Sequence, residues 1–202
     1  MGVEEGMDCQ HNQITLYTAQ TDEVVANLLA HGHHYVKLEY ISRKYAEVSA
    51  VFLQAYAWYT EHAQRIVPKP QQAESAVWSF CEVRYLERHP GHQILKLSVP
   101  LASAVFFRMS DWNKILNLNY IGKSAAEEAL FAEKLARYGI RYAGDIHTTP
   151  FYPHLKKECR DSWQNLFRYD QKVKATGSCL YPDMQAGLWQ VKKEWIVAKV
   201  GD

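Results

Sequence analysis

The chain lacks any apolar run long enough to span a bilayer, any Gly/Ser-rich linker, any low-complexity tract and any internal repeat. A membrane helix needs roughly 20 consecutive apolar residues, so no membrane partner is expected. The absence of linkers favours one domain. Met1 to Gln13 is polar and acidic and has no apolar stretch of the signal-peptide kind, so it reads as a flexible N-terminal segment before a single domain over residues 14–202. Glycine is scarce, and no phosphate-cradling loop exists: Gly139 and Gly144 have P-loop spacing but no Lys-Ser/Thr follows. Cysteine is scarcer still. Cys9, Cys81, Cys159 and Cys179 are widely scattered, with no Cys-x-x-Cys among them. Free thiols in a reducing, cytoplasmic setting are therefore expected, with Cys81 and Cys179 as small buried hydrophobes. His31, His33 and His34 follow a helix-ending pattern without metal-ligand spacing, so a solvated loop is expected and no metal site. A one-signed charge excess is also missing. Lys plus Arg number 23 against 22 acidic residues, a net charge of +1, which excludes a global basic field for nucleic acid.

What is present argues for a folded domain. Hydrophobic residues make up 48% of the chain and aromatics 13%, too apolar for disorder in a chain of 202 residues. Ile14 to Thr18 is β-branched and aromatic and predicts a first strand. Thr21-Asp22 then predicts a helix start, with Val24, Val25, Leu28 and Leu29 as its buried stripe and Gly32 as its end. Tyr45, Val48, Phe52, Ala55, Tyr59, Ala63 and Ile66 recur at helical spacing until Pro68. Ala76–Val83 and Gln93–Val99 predict strands around the turn-like Arg88-His89-Pro90-Gly91, and Ala104 to Phe107 continues the sheet. Ser110 is the expected cap of a helix bearing Trp112, Ile115 and Leu116, and Ser124 with Glu127 makes a capping box for the next. One helix is predicted over Leu155 to Phe167, and a last strand over Met184 to Val191, with an extension through Val200. Strands at both ends and in the middle, with helices between, define an α+β fold with a mixed or antiparallel sheet.

Polar residues that interrupt the apolar strands are the candidates for function. Thr18 and Gln20 close the first strand. Gln185 shares a strand face with Gly187 and Trp189. A glutamine beside a glycine that permits close approach suits hydrogen bonding to a ligand; a glutamine facing solvent on an edge strand is the alternative. Most of the six tryptophans and thirteen tyrosines are expected in the core, with a minority able to stack on a planar ligand. Lys156, Lys157, Arg160, Arg168, Lys172 and Lys174 form a late basic cluster, expected as a solvated surface unless it contacts RNA phosphates.

Several segments in order carry a family resemblance: Leu16-Tyr17-Thr18-Ala19-Gln20, Ala55-Tyr56-Ala57-Trp58, Ala76-Val77-Trp78-Ser79-Phe80, Ile94 to Pro100, Trp112-Asn113-Lys114-Ile115-Leu116-Asn117, Ser162-Trp163-x-x-Leu166-Phe167 and Gln185-Ala186-Gly187-Leu188-Trp189. From about Ile14 to Val197 the chain resembles a bacterial family catalogued as domain of unknown function 3841, with residues 124–153 reading as an insertion. That family name implies no chemistry. By its architecture the chain also resembles small ADP-ribosyltransferases, through Leu16-Tyr17-Thr18, Leu28-Leu29-Ala30-His31-Gly32 and Gln185. The second resemblance implies an effector that uses NAD to modify a protein or nucleic-acid acceptor, in a toxin or phage-defence setting with a neutralising protein partner. Thr18 and Gln20 would position NAD, Tyr56 or Trp78 would stack on nicotinamide, and Gln185 would hold the ribose. Here Gln stands where those transferases carry a late Glu, so a carboxylate base is missing. The rival expectation is a non-catalytic module that binds nucleotide, RNA or protein through aromatics and the basic cluster.

Overall fold

In the computed structural model, described over residues 12–39 and 49–201, strand β1 (Gln13–Thr21) buries Ile14, Leu16 and Thr18 and exposes Gln13 and Thr15. This alternation half-buries the strand. β1 pairs along its whole length with β4 (His92–Pro100), antiparallel, from Gln13↔Pro100 to Thr21↔His92. Helix α1 (Asp22–His31) starts as its residues demand. The Val24 N–H donates to Thr21 Oγ1 at 3.2 Å, Asp22 and Glu23 occupy the first turn, and Gly32 closes the helix at φ 82°. Only Val25 and Leu28 of the expected stripe are fully buried. Val24 is partly covered and Leu29 is exposed. Most of the segment read as the flexible N-terminus, together with Tyr45 and Val48 of the second helix, lies outside the described residues.

The described strands form a six-stranded antiparallel sheet in the order β5-β6-β3-β1-β4-β8, with β3 at Val77–Phe80, β5 at Ala104–Arg108, β6 at Met184–Leu188 and β8 at Ile196–Val200. A two-stranded sheet joins β2 (His33–His34) to β7 (Val191–Lys192). His33 and His34 therefore sit in a short ladder rather than a loop, and no metal-binding group forms among the described residues. The domain is α+β.

One sheet face carries Leu16, Leu95, Leu97, Phe106 and Leu188 against α1. The other carries Val105, Phe107 and Trp189 against α2 (Ser49–Ala63), α3 (Met109–Leu116) and the tight turns of 163–169. Helices α4 (Ala125–Arg137) and α5 (Pro153–Ser162), with the turn at 143–148, enclose a third cluster of Phe131, Leu135, Ile146, Leu155 and Cys159. The capping box at Ser124 forms, with Glu127 N–H donating to Ser124 Oγ at 3.3 Å, while the Glu127 carboxylate turns back to the Lys123 N–H.

Three expectations are corrected. Leu155 to Phe167 is not one helix: α5 ends at Ser162, a 3₁₀ stretch covers Trp163–Tyr169, and α6 runs Asp170–Thr176. The tighter turns turn Trp163 and Leu166 into the core and bring buried Asp170 to the free edge of β5, where its Oδ1 accepts the Phe106 N–H at 2.9 Å. The last strand is also not continuous. β6 lies inside the sheet, the chain leaves it after Leu188, and β8 pairs with β4 at the opposite edge. Finally, Cys81 and Cys179 are not free thiols but a disulfide, Cα–Cα 6.4 Å. β3 and β6 are antiparallel neighbours with Phe80 opposite Gln185, so the residue after one strand meets the loop before the other. Cys159 is free and buried. No helix of the described residues is long and apolar enough to cross a membrane.

Candidate binding cleft

The sheet itself separates the residues expected to share a site. Thr18 and Gln20 project to the α1 face with Leu16; Trp78 and Gln185 project to the opposite face, where Tyr56 of α2 meets Trp78. Thr18 is fully buried. Its hydroxyl donates to the Trp78 carbonyl at 2.9 Å and accepts from Gln20 Nε2 at 2.8 Å. Beside the one β1–β3 register pair, Tyr17↔Phe80, the Thr18 side chain adds a further tie between the two strands.

On the other face Trp78 Nε1 donates to Tyr56 Oη at 3.0 Å, and Tyr59, Phe107 and Trp112 crowd the indole edge-on or tilted. The close approach that Gly187 permits is real, but its occupant is protein. A Cβ at 187 would meet Tyr59 Oη at 2.0 Å. Gln185 is 5% exposed, and its Oε1 is buried without a partner, as is the Tyr59 hydroxyl. Burial drives the Tyr59 hydroxyl well above its ordinary pKa. These residues form a packed aromatic core.

An open cleft of about 560 Å³ lies instead at the end of β5, lined by Arg84, Tyr85, Arg108, Met109, Pro182 and Asp183. Local sequence builds it. β5 ends at Arg108 and α3 begins at once with Met109, one residue before the expected cap Ser110. The cap comes from across the sheet. Asp183, the residue before β6, accepts the Met109 N–H through its carbonyl at 2.8 Å and the Ser110 N–H through Oδ2 at 3.4 Å. Its carboxylate also accepts Arg108 Nε at 2.9 and 3.2 Å. The Arg108 guanidinium lies over the Tyr181 ring at 4.5 Å, Tyr181 packs on Tyr169 at 5.2 Å, and Arg168 covers Tyr169 at 4.7 Å while pairing with buried Asp111 at 2.9 Å. Burial raises the Tyr169 hydroxyl, but its bonds with Arg168 and Tyr181 outweigh that and hold it below the usual phenol value.

Burial likewise pushes the Asp183 carboxyl up, and the Arg108 and Ser110 bonds more than reverse it, holding it below the usual carboxylate range. A lowered folded-state pKa adds stability above the unfolded value and loses it as pH falls through the folded value. Asp183→Asn is therefore expected to lower the melting temperature at neutral pH, with the difference from the parent shrinking below about pH 4. Melting curves of both proteins across this range check it; a difference independent of pH would refute it.

Four members of the late basic cluster have partners within the protein. Lys157 pairs with Asp161 at 2.6 Å, Lys174 with Asp170 at 2.8 Å and Arg168 with Asp111, while Lys156 donates to the Thr149 carbonyl. Arg160 and Lys156 add to burial in lowering His147 to about 4. Sequence reasoning missed Arg108 and Asp183. Their pairing spans 75 residues, and the only local signal was the turn-forming Pro182-Asp183 before a strand.

Fold and cleft together define an α+β domain with an antiparallel sheet and an arginine- and tyrosine-rich surface site. Over residues 15–197 the chain matches the family described as Domain of unknown function (DUF3841), and it belongs to that family. Comparison with curated proteins and with solved structures found no match.

Proposed function

We propose that this domain is a non-catalytic binding module that takes a nucleotide-class ligand in the Arg84/Arg108 cleft. The observation that carries the reading is the Arg108 guanidinium, tied through Nε to Asp183 and held over the Tyr181 ring at the cleft wall. A guanidinium so held is pre-organised to donate to phosphate, and Tyr85, which lines the cleft, supplies an aromatic ring for a planar base.

Calorimetric titration with ADP, ADP-ribose, NAD and a short single-stranded RNA tests this. Binding of ADP or ADP-ribose is expected, and Arg84→Ala should weaken it about tenfold, as loss of one charge-assisted bond does. Arg84 suits the test because its side chain is 61% exposed, so the fold should survive. Absence of binding by any of the four at millimolar concentration would remove the proposal.

One observation favours the transferase reading: the buried, partnerless Oε1 of Gln185. An NAD-consuming site there requires α2 to move off the sheet, because Tyr59 fills the space above Gly187. Nicotinamide release that Gln185→Ala abolishes without loss of the fold would establish it. Equal release, or none, from both proteins would end it.

A further inference from the structure

We propose that the Cys81–Cys179 disulfide is a redox latch on the cleft, holding in place the wall that carries Arg84 and Tyr85; this rests on the reading of the cleft as a ligand site. The two cysteines sit at the roots of the two walls. Cys81 directly follows β3 and leads into the turn at Val83–Tyr85. Cys179 opens the loop that delivers Tyr181, Pro182 and Asp183.

The walls are anchored unequally. The 181–183 wall is bound to the rest of the fold by the Asp183 bonds to Arg108, Met109 and Ser110 and by the stacking of Tyr181. Among the described residues, the hydrogen bonds and ion pair of 82–86 are local. Tyr85 N–H donates to the Glu82 carbonyl, Leu86 N–H donates to the Val83 carbonyl, and Arg84 pairs with Glu82. Val83 and Arg84 are exposed and Tyr85 is only partly covered. The Cys81 N–H bond to the Met184 carbonyl, at 3.1 Å, fixes the root of this wall but not its tip. Among the described residues, the disulfide is thus the covalent cross-link between the 82–86 wall and the 181–183 wall.

The chemistry is available. Both cysteines are half-buried, packed on the α1-side core with part of each residue open to solvent, the side from which a dithiol would approach. Its thiolate attacks one sulfur to give a mixed disulfide, and its second thiol displaces that sulfur. Net, the protein S–S bond breaks, two protein thiols form, and the dithiol gives up two electrons and two protons to become a disulfide. Cys159 takes no part: it lies in the separate cluster under α5, and burial pushes its thiol up to about 12. With the tie broken, the 82–86 wall samples open positions, and apparent affinity falls in proportion to the fraction that stays competent.

The test uses the full chain, oxidised and after reduction with dithiothreitol. Alkylation should find Cys81 and Cys179 blocked before reduction and reactive after it. Hydrogen exchange should rise in 82–86 and stay unchanged in β4. ADP affinity should fall by about tenfold, and reoxidation should restore it. The Cys81→Ser/Cys179→Ser double variant should match the reduced protein. Free alkylation of both cysteines in protein purified without reductant, unchanged exchange at 82–86, or unchanged ADP affinity despite faster exchange would each overturn the latch. So would loss of the cooperative melt on reduction, which would make the bond part of the fold. If neither form binds ADP but exchange at 82–86 still rises, the ligand reading fails while the latch on the wall stands.

Discussion

A chain cut after Asp183 is expected to have no cooperative unfolding transition. β6 is an interior strand, hydrogen-bonded to β5 on one side and β3 on the other, and all five of its residues are buried. Its removal leaves two unpaired strand edges and strips Met184, Ala186 and Leu188 from one core and Trp189 from the other. Trp189 also donates through Nε1 to the Val67 carbonyl at 2.7 Å, tying the chain beyond α2 to the sheet. Loss of a single buried Leu, Met or Trp side chain costs about 2–5 kcal/mol, and a domain has about 5–15 kcal/mol in all. Circular dichroism melts and amide dispersion in NMR spectra would show it. A truncated protein that melts cooperatively near the intact one would mean that the sheet order is wrong.

The second large effect is expected at Gly187. Alanine there would place a methyl group 2.0 Å from Tyr59 Oη and 2.8 Å from its Cζ, inside a cluster already closed by Trp78, Phe107 and Trp112. Overpacking of this kind costs about 3 kcal/mol, a drop in melting temperature of about 6–12 °C for a chain of this size. The relief is specific. Because the Tyr59 hydroxyl is buried without a partner, Tyr59→Phe alone removes no hydrogen bond and should leave stability unchanged or raised. In the Gly187→Ala background the same change removes the closest contact and should recover part of the loss, a coupling of about 0.5–3 kcal/mol. A double-mutant cycle of melting temperatures measures this. Additive effects, or a neutral Gly187→Ala, would show that Tyr59 does not stand over Gly187.

Local chemistry made much of the architecture legible. Thr21, Asp22 and Gly32 bound α1 in the sequence and in the structure, and Ser124 with Glu127 starts α4, since caps act within four residues. Runs of β-branched, aromatic and apolar residues bounded by turn residues located β1, β3, β4 and β5 to within a few residues, because such side chains pack well on a pleated sheet. The division of the polar residues between the two sheet faces was not legible. Thr18 and Gln185 look alike as polar residues in apolar strands. Only the order β6-β3-β1 and the phase of each strand put one under α1 and the other under α2.

The ordered segments from Leu16 to Trp189 determined the family by themselves, because family membership is a property of the string. They did not determine the cleft. Arg108 meets Asp183 across 75 residues, and Cys81 meets Cys179 across 98. No periodicity or spacing encodes such contacts; they exist because β5, β6 and β3 lie side by side and bring their ends to one edge of the molecule. Secondary structure here follows from interactions between near neighbours in the chain, while the cleft follows from which strands pair, and that was decided by burial of the two sheet faces together.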